Sequence, residues 1–372
     1  MKSQTKTDLV EECGMECLID KLNNWGICDT SSDCSIFNQK YDIVKELYNS
    51  PNSNVFLVNI PSAVSTPTGK LSKYAGKHGA VKLVSGPTFC YLLEKEYKVL
   101  KTLDHPNIIK PLDFKEDRQT DSKNISYLCV PYYKHGEMFE AVKVRGGLGE
   151  TESLYYFKQM ASALEYLHEI NIAHRDIKLE NILIDDSMNA QLIDFGFCYK
   201  FDTGSDKDIQ TRILEDNIET QCLGTVGYMS PELIEAYQNG DHNVSDKNSK
   251  VSEKMEQYKA GDVFALGVSL FTMVFGMPPF VSATKKDPNY RTFLLSKKRP
   301  GLNKFWTKHP KTKGLVEKGE ISAEFRSLIE GMLDPTPEDR FRMNSVMTHP
   351  WVQKVSNFSK EELKMNLPST SS

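Results

Sequence analysis

One short segment of the chain carries a carboxylate, a cation and an amide within six positions. It reads His174-Arg175-Asp176-Ile177-Lys178-Leu179-Glu180-Asn181, and Asp194-Phe195-Gly196 begins thirteen residues after Asn181. Phosphoryl transfer asks a protein mainly to position its reactants and to neutralise charge. Asp176 fits a carboxylate that accepts or orients a hydroxyl proton, and Lys178 fits a cation beside the transferred group. Asn181 and Asp194 offer the hard oxygen ligands that Mg²⁺ prefers.

These motifs resemble those of the eukaryotic protein kinases, and the resemblance runs from about Tyr41 to Val352. The family's H-R-D-x-K-x-x-N and D-F-G motifs are both complete. The resemblance implies a serine/threonine protein kinase, nearest to the calcium/calmodulin-dependent and AMP-activated group. It also implies ATP and Mg²⁺ as cofactors. The implied fold is α+β, with a small antiparallel β-sheet lobe that contains one key helix and a larger, mainly helical lobe.

A lysine and a glutamate upstream complete the nucleotide site that the resemblance implies. Ala80-Val81-Lys82 is similar to the family strand whose lysine holds the α- and β-phosphates of ATP. Glu96 would pair with Lys82 and fix its position. Glu94 competes for this role, although the spacing to the following leucine and to His105-Pro106-Asn107 favours Glu96.

Val130-Pro131-Tyr132-Tyr133 resembles the hinge between the family's two lobes, which binds adenine through its backbone. Pro131 has no N–H group but keeps its carbonyl, and Tyr133 would supply the N–H. The residues that correspond to the family's adenine sandwich are Leu47, Val55, Ala80 and Leu183. Simple core packing is compatible with the same four residues.

The segment from Gly224 to Glu232 resembles the family's peptide-docking loop. Thr225 stands where a threonine bridges Asp176 and Lys178, and this favours serine or threonine over tyrosine as the acceptor. The resemblance also pairs Glu232 with a buried Arg340. It implies that Asp262, in a later helix, braces the catalytic loop.

The residues that bear on substrate preference and regulation are less informative than the catalytic motifs. Glu137 and Glu180 match acidic positions that favour basic residues before the phosphorylated site in some relatives, whereas Thr272 stands where a third acid often lies. Thr220 lies near the family's activating phosphosite. The usual offset from Thr225 falls on Gln221 instead, so an unmodified Thr220 is an equally open alternative.

The glycine-rich loop of the family is missing. After Leu47 the chain reads Tyr48-Asn49-Ser50-Pro51-Asn52-Ser53-Asn54-Val55, without one glycine. Glycine lets a backbone approach phosphates at unusual dihedral angles, so we expect this loop to close less well, with Pro51 stiffening its tip. A pseudokinase that serves as a scaffold or allosteric binding module therefore stays in view. A small-molecule kinase of similar fold is a third alternative, against which the peptide-docking loop argues.

The domain organisation that we predict is a polar extension (1–40), a kinase domain (41–352) and a tail (353–372). Within the domain we expect an N-lobe (41–130), a hinge (131–136) and a C-lobe (137–352) with a polar inserted loop (239–255). The predicted strands are 41–47, 55–58, 79–84, 111–114 and 126–130. The predicted helices are 7–22, 90–103 and 153–170, and 60–78 is predicted to be a long loop.

Composition adds few constraints. The 372 residues carry a net charge of −4, with 39% hydrophobic and 26% charged residues, as in ordinary globular proteins. No transmembrane helix, secretory signal or myristoylated glycine is expected. Eight scattered cysteines without a Cys-x-x-Cys pair indicate reduced thiols rather than a zinc site. We expect an intracellular, cytoplasmic protein, with a nuclear location also open.

A basic stretch covers residues 283–318, with eleven Lys/Arg and two Asp/Glu. It is a candidate for docking acidic partners, although a solvated face is the simpler interpretation. Protein substrates with serine or threonine acceptors are the expected partners, and no specific nucleic acid is expected.

Overall fold

The computed structural model describes residues 41–61, 74, 76–117, 125–200, 225–238, 251–298, 304–355 and 363. These residues divide into two compact units, and the chain passes between them after Tyr97, after Ile109 and after Tyr132. The last passage falls inside the segment that was predicted as the hinge. The predicted extension with its helix at 7–22 lies outside the described residues, as does most of the loop at 60–78.

The first unit is built on a five-stranded antiparallel sheet with strand order β1-β2-β3-β5-β4. Its strands are β1 (Asp42–Ser50), β2 (Ser53–Asn59), β3 (His78–Ser85), β4 (Asp113–Asp117) and β5 (Ile125–Pro131). Each predicted strand has a counterpart, and the ends differ by up to three residues. β2 and β3 pair without a break, from Ser53 with Val84 to Asn59 with His78.

Side chains along these strands alternate between a core face and the face that is expected to meet the nucleotide, because successive side chains of a strand point to opposite faces. One face contributes a buried cluster that consists of Tyr41, Phe56, Val58, Val81, Leu83, Tyr127 and Cys129. The opposite face carries Lys82 and its cross-strand partner Val55. The helix α1 (Pro87–Leu100) follows β3 and begins and ends three residues earlier than predicted.

The second unit is mainly helical. Its helices are α2 (Met138–Arg145), α3 (Gly149–Glu169), α4 (Pro231–Gln238), α5 (Val251–Phe275), α6 (Pro288–Lys298), α7 (Lys304–Lys308), α8 (Ala323–Met332), α9 (Met343–Met347) and α10 (Pro350–Gln353). Two short antiparallel pairs accompany them: β6 (Ile172–Ala173) with β9 (Tyr199–Lys200), and β7 (Ile182–Ile184) with β8 (Ala190–Leu192).

Residues 98–109 belong to this second unit, although the sequence predicted an N-lobe that continues to 130. Hydrogen bonds explain the difference. The Asp104 N–H donates to Tyr166 Oη over 3.0 Å, and the Asn107 side chain donates to Gln159 Oε1 over 2.9 Å. Both partners lie on α3, so this segment is fixed to the helical unit.

The helix α5 forms the centre of the second unit and corrects one prediction. Residues 251–255, assigned to the inserted loop, are already helical. The few apolar residues of this segment show no helical periodicity, so the sequence did not predict a helix. Met255 is nevertheless buried, because it packs against residues distant in sequence. The part Glu253–Phe275 is long and apolar enough to cross a membrane, but 89% of the apolar window is buried inside the protein. Burial of that kind is what a core helix shows.

Candidate functional site

The first unit contains the lysine–glutamate pair. Lys82 Nζ lies 3.0 Å from Glu96 Oε2, and Glu96 is only 4% exposed. Glu96 is one of the buried positions of α1, whereas Glu94 is half-buried and two positions earlier on the helix. The pair fixes the lysine head against α1, on the sheet face that also presents Val55 and Ala80.

The other residues predicted to contact adenine are divided between the units. Leu47 lies at an irregularity of β1 between Glu46 and Tyr48 and is 38% exposed. Pro131 ends β5, where it pairs with Gly79 of β3. In the second unit, Tyr133 is buried just after the passage between the units, and Leu183 is the central residue of β7.

The glycine-free loop is a tight hairpin between β1 and β2. Ser50 pairs with Ser53 across a two-residue turn. The Ser50 hydroxyl donates to the Ser53 carbonyl over 2.9 Å and accepts the Ser53 N–H at 3.2 Å. Among the described residues, none from Tyr48 to Asn54 has a positive φ, so this turn needs no glycine. Serine before proline is a known signal for such a turn, and sequence analysis overlooked it.

The catalytic loop of the second unit brings three predicted residues together. Lys178 Nζ lies 2.6 Å from Asp176 Oδ2 and donates to Thr225 Oγ1 over 3.0 Å. Thr225 Oγ1 in turn lies 3.4 Å from Asp176 Oδ1. Asp176 is therefore a buried carboxylate whose Oδ2 is held by the Lys178 ammonium group. Among the described residues, its Oδ1 has only the long contact with Thr225.

The two expected metal ligands are neighbours because of a short hairpin. β7 and β8 pair Ile182 with Leu192, and the Ile193 N–H donates to the Asn181 carbonyl over 2.9 Å. Asn181 and Asp194 therefore flank the same end of this hairpin. Asn181 Nδ2 donates to Asp176 Oδ2 over 2.8 Å and to the Asp176 carbonyl over 2.9 Å, which leaves its amide oxygen for another partner.

This oxygen set fits Mg²⁺. In the described ranges, no group of three or more His, Cys, Asp or Glu side chains could hold a metal alone. A carboxylate and an amide oxygen suit Mg²⁺, which proteins usually bind through one or two such ligands together with substrate phosphates and water. Asp194 has a φ of 63°, a left-handed conformation that non-glycine residues rarely adopt.

The buried side chains of Asp262 and His174 stabilise the catalytic loop. Asp262 on α5 accepts the N–H groups of His174 and Arg175 over 2.8 and 2.7 Å, and His168 lies 3.0 Å from it. The ring of His174 donates from Nε2 to the Ile193 carbonyl, and its Nδ1 accepts the Asp176 N–H. Acceptance through Nδ1 requires the neutral ring, and burial favours that form because it lowers the pKa of His174.

A comparison with known protein families identifies the family of this chain. The sequence model described as the protein kinase domain matches residues 70–352, more than half of the chain. The chain belongs to the protein kinase family. The match begins after β1 and β2, so the glycine-free hairpin lies outside it. The pairing of β2 with β3 nevertheless makes the hairpin part of the same sheet.

Curated relatives of this kinase domain include serine/threonine kinases and Aurora kinases. An Aurora kinase from Eremothecium gossypii is 31% identical over 272 residues, which cover 72% of this chain and 60% of that protein. Serine/threonine-protein kinase GIN4 from Saccharomyces cerevisiae is 30% identical over 278 residues, which cover 75% of this chain and 20% of that protein. Testis-specific serine/threonine-protein kinase 1 from Mus musculus is 29% identical over 264 residues, covering 70% and 60%. This chain thus matches less than two thirds of each relative's length.

The kinase domain contains the predicted ion pair between Glu232 and Arg340. Arg340 is 3% exposed, and its two terminal nitrogens donate to the two carboxylate oxygens over 2.7 and 2.9 Å. Ser230 donates its hydroxyl to the same carboxylate over 2.6 Å. The serine thus adds a hydrogen bond to this pair.

The acidic residues predicted to contact substrate differ in their surroundings. Glu180 Oε2 accepts the Tyr228 hydroxyl over 3.1 Å, so the docking segment already contacts it. Glu137 is exposed, and the pKa of its carboxyl is raised by partial desolvation and by the nearby Glu180 and Glu140. Thr272, at the third position, is buried and donates to the Val268 carbonyl. The predicted phosphosite Thr220 lies outside the described residues.

Proposed function

We propose that this chain is an ATP-dependent serine/threonine protein kinase that transfers the γ-phosphoryl group of ATP to hydroxyls of other proteins. The observation that carries the proposal is the contact set of Asp176, Lys178 and Thr225. It combines a buried carboxylate, a cation within 2.6 Å and a hydroxyl that contacts both. Such a set is suited to receiving a substrate hydroxyl and neutralising charge beside it.

The contacts of the two Asp176 oxygens support different roles for Oδ1 and Oδ2. Oδ2 is held by Lys178 and Asn181, which fixes the orientation of the carboxylate. Oδ1 has a single contact in the described ranges, the 3.4 Å approach of Thr225. A substrate hydroxyl would therefore donate its proton to Oδ1, while the Lys178 ammonium group stays beside the carboxylate.

Asn181 and Asp194 would hold Mg²⁺, and Lys82 would bind the phosphates of ATP from the first unit. When bound, the ion supplies positive charge to the phosphate oxygens. The contribution of the chain is to orient these groups in advance. Glu96 fixes Lys82 by its 3.0 Å ion pair, and the β7–β8 hairpin fixes both metal ligands.

A pseudokinase is the second candidate, because the β1–β2 hairpin lacks every glycine of the family motif. The retention of Lys82, Asp176, Asn181 and Asp194 supports an active enzyme over this alternative. The experiment is transfer of radiolabelled phosphate from ATP to mixed peptides, with wild type beside Asp176→Asn. Transfer by the wild type alone supports the kinase, and ATP binding without transfer by either protein favours the pseudokinase.

Acceptor specificity forms a separate part of the proposal. The Lys178–Thr225 contact supports serine and threonine, and phosphoamino-acid analysis of the labelled peptides tests this. Mainly phosphotyrosine would refute it. Glu137 and Glu180 support a preference for basic residues before the acceptor, which a peptide array with arginine at each upstream position would reveal.

The basic stretch supports docking of acidic protein partners. The exposed cations of this stretch on the second unit include Lys285, Lys286, Arg291, Lys308, Lys311 and Lys313. Phe305 and Trp306, which lie within the same stretch, are buried. Salt-sensitive capture of a polyglutamate peptide, weakened by Lys308→Glu with Lys311→Glu, would test this surface.

A further inference from the structure

Arg175, the residue before Asp176, has a strained backbone. Its φ is 69°, in the left-handed region where a side chain meets the backbone, and such conformations persist only when the surroundings hold them. The Arg175 N–H donates to Asp262 Oδ1 over 2.7 Å. This bond fixes the backbone of Arg175 but leaves the direction of its long side chain undetermined.

A tyrosine on the same helix contacts that side chain. The guanidinium carbon of Arg175 lies 4.4 Å from the centroid of the Tyr258 ring, within the range of a cation–π interaction. Tyr258 and Asp262 are four residues apart on α5, so they lie on one face of the helix. The helix therefore holds Arg175 at two points, by the N–H and by the guanidinium group.

The Tyr258 ring is itself fixed. It is buried with Met255 and Ala173, and it packs edge-on against the Tyr199 ring at 5.4 Å between centroids. Lys254 Nζ lies 5.8 Å from the Tyr258 centroid. A ring held on several sides offers Arg175 a rigid surface, as a residue that positions another must.

We propose that Tyr258 is a positioning residue for phosphoryl transfer, which holds Arg175 by its aromatic face and so fixes the neighbouring Asp176. This inference rests on the proposed kinase activity.

The test compares Tyr258→Leu with Tyr258→Phe in steady-state peptide phosphorylation. Leucine removes the aromatic face, and misplacement of a catalytic group by about 1 Å can lower turnover roughly 100-fold, so we expect a kcat loss of about 10- to 100-fold with an unchanged KM for ATP. Phenylalanine keeps the face and is expected to keep the activity. Met255→Ala is the matched control, because it opens the same cluster three residues away without removing the ring. It should lower Tm without lowering kcat at a temperature well below Tm.

A double-mutant cycle separates positioning from general damage. If Tyr258 acts through Arg175, Tyr258→Leu should cause no further loss of kcat in an Arg175→Gln background. Fully multiplicative losses would overturn the proposal. So would a Tyr258→Leu enzyme with wild-type kcat, or a Tyr258→Phe enzyme as impaired as the leucine variant.

A spectroscopic measurement does not depend on activity. The ring should shift the Arg175 Nε–H resonance upfield, and the shift should disappear in Tyr258→Leu and persist in Tyr258→Phe and Met255→Ala. The Asp176 amide resonance should move in the leucine variant alone. A wild type that shows these shifts but transfers no phosphate would refute the proposed function and leave the positioning contact established. Absence of the upfield shift in the wild type would refute the contact itself.

Discussion

The catalytic loop and the β1–β2 hairpin serve the same expected reaction but are stabilised in different ways. The loop from His174 to Asn181 is fixed by side chains that come from distant parts of the second unit, including Asp262 and Thr225. The hairpin is closed by Ser50 and Ser53, three residues apart, which bond to each other. One region depends on long-range contacts and the other on its own turn.

This difference explains why the glycine-rich motif could be lost while the catalytic-loop motif is complete. In the catalytic loop the side chains themselves perform the expected chemistry, so Asp176 or Asn181 has no simple substitute. In the phosphate-covering loop the expected work belongs to backbone N–H groups, which every residue except proline carries. We therefore expect a turn that closes through serine to remain compatible with ATP binding, although it should close less well than one with glycine.

Asp176→Asn tests the catalytic loop and, together with Lys82→Met, should have the largest effect. General-base groups contribute about 10²- to 10⁴-fold, so we expect phosphate transfer to fall by at least about 100-fold with ATP affinity almost unchanged. Radiolabel transfer and a fluorescent-nucleotide titration measure the two quantities. Asp186→Asn, an exposed aspartate nearby, is the control. Retention of more than about a tenth of wild-type turnover would contradict the role of Asp176 as base.

Lys82→Met tests the ion pair of the first unit. The lysine is expected to hold the phosphates, so its loss should abolish measurable transfer. Glu96→Gln should reduce transfer less, by roughly tenfold, since a charge-assisted hydrogen bond worth about 1.5 kcal/mol is weakened rather than removed. Glu94→Gln on the same helix is the matched control. A damaging Glu94→Gln beside a silent Glu96→Gln would show that the wrong glutamate was assigned.

Restoring glycines tests the hairpin. In Tyr48→Gly/Ser50→Gly/Ser53→Gly the backbone N–H at position 53 loses the hydroxyl acceptor that Ser50 provides in the wild type, and it becomes available to a phosphate. A bond to a charged oxygen contributes about 1.5–3 kcal/mol, and glycine costs about 0.5–1 kcal/mol per residue in a strand. The net expectation is a KM for ATP that is lower by only a few-fold.

The control for the hairpin is Val44→Gly, an exposed position earlier in β1. It loosens the same strand without freeing the turn and should leave the KM for ATP unchanged. If the triple variant has an unchanged or higher KM, the native hairpin already closes over ATP in a different geometry, and the two regions are equally adapted to their tasks.

Glu137 gives the smallest expected effect. The pKa of its carboxyl is raised by desolvation and by Glu180 and Glu140, so as pH falls it gains a proton earlier than an ordinary glutamate. Because only the ionised form attracts a basic residue, the KM for an arginine-containing peptide should rise as pH falls toward that raised pKa. An exposed ion pair is worth about 0.2–1 kcal/mol, or roughly 1.5- to 5-fold. Glu137→Gln, or a peptide with alanine instead of arginine, should show no such dependence.

Sequence analysis was most successful where residue type is dictated by chemistry. Asp176, Lys178 and Asn181 could be located from their types and spacing, and the Lys82–Glu96 and Glu232–Arg340 contacts followed from the resemblance. The start of α5 could not be predicted, since residues 253–258 are mostly polar and their buried apolar positions are Met255 and Tyr258. Their environment is created by β6 and β9, which are distant in sequence. Tyr258 was overlooked for the same reason.

The Asp262 contacts also have a consequence for how the chain folds. The bond from the His174 N–H to Asp262 joins residues that are 88 positions apart, and forming contacts between residues far apart in sequence is slow because the intervening chain must first be ordered. The catalytic loop can thus reach its final geometry only after α5 has docked. During refolding, helical circular dichroism should return before the ability to transfer phosphate, so a newly collapsed chain would pass through a stage that has its helices but no enzymatic capacity.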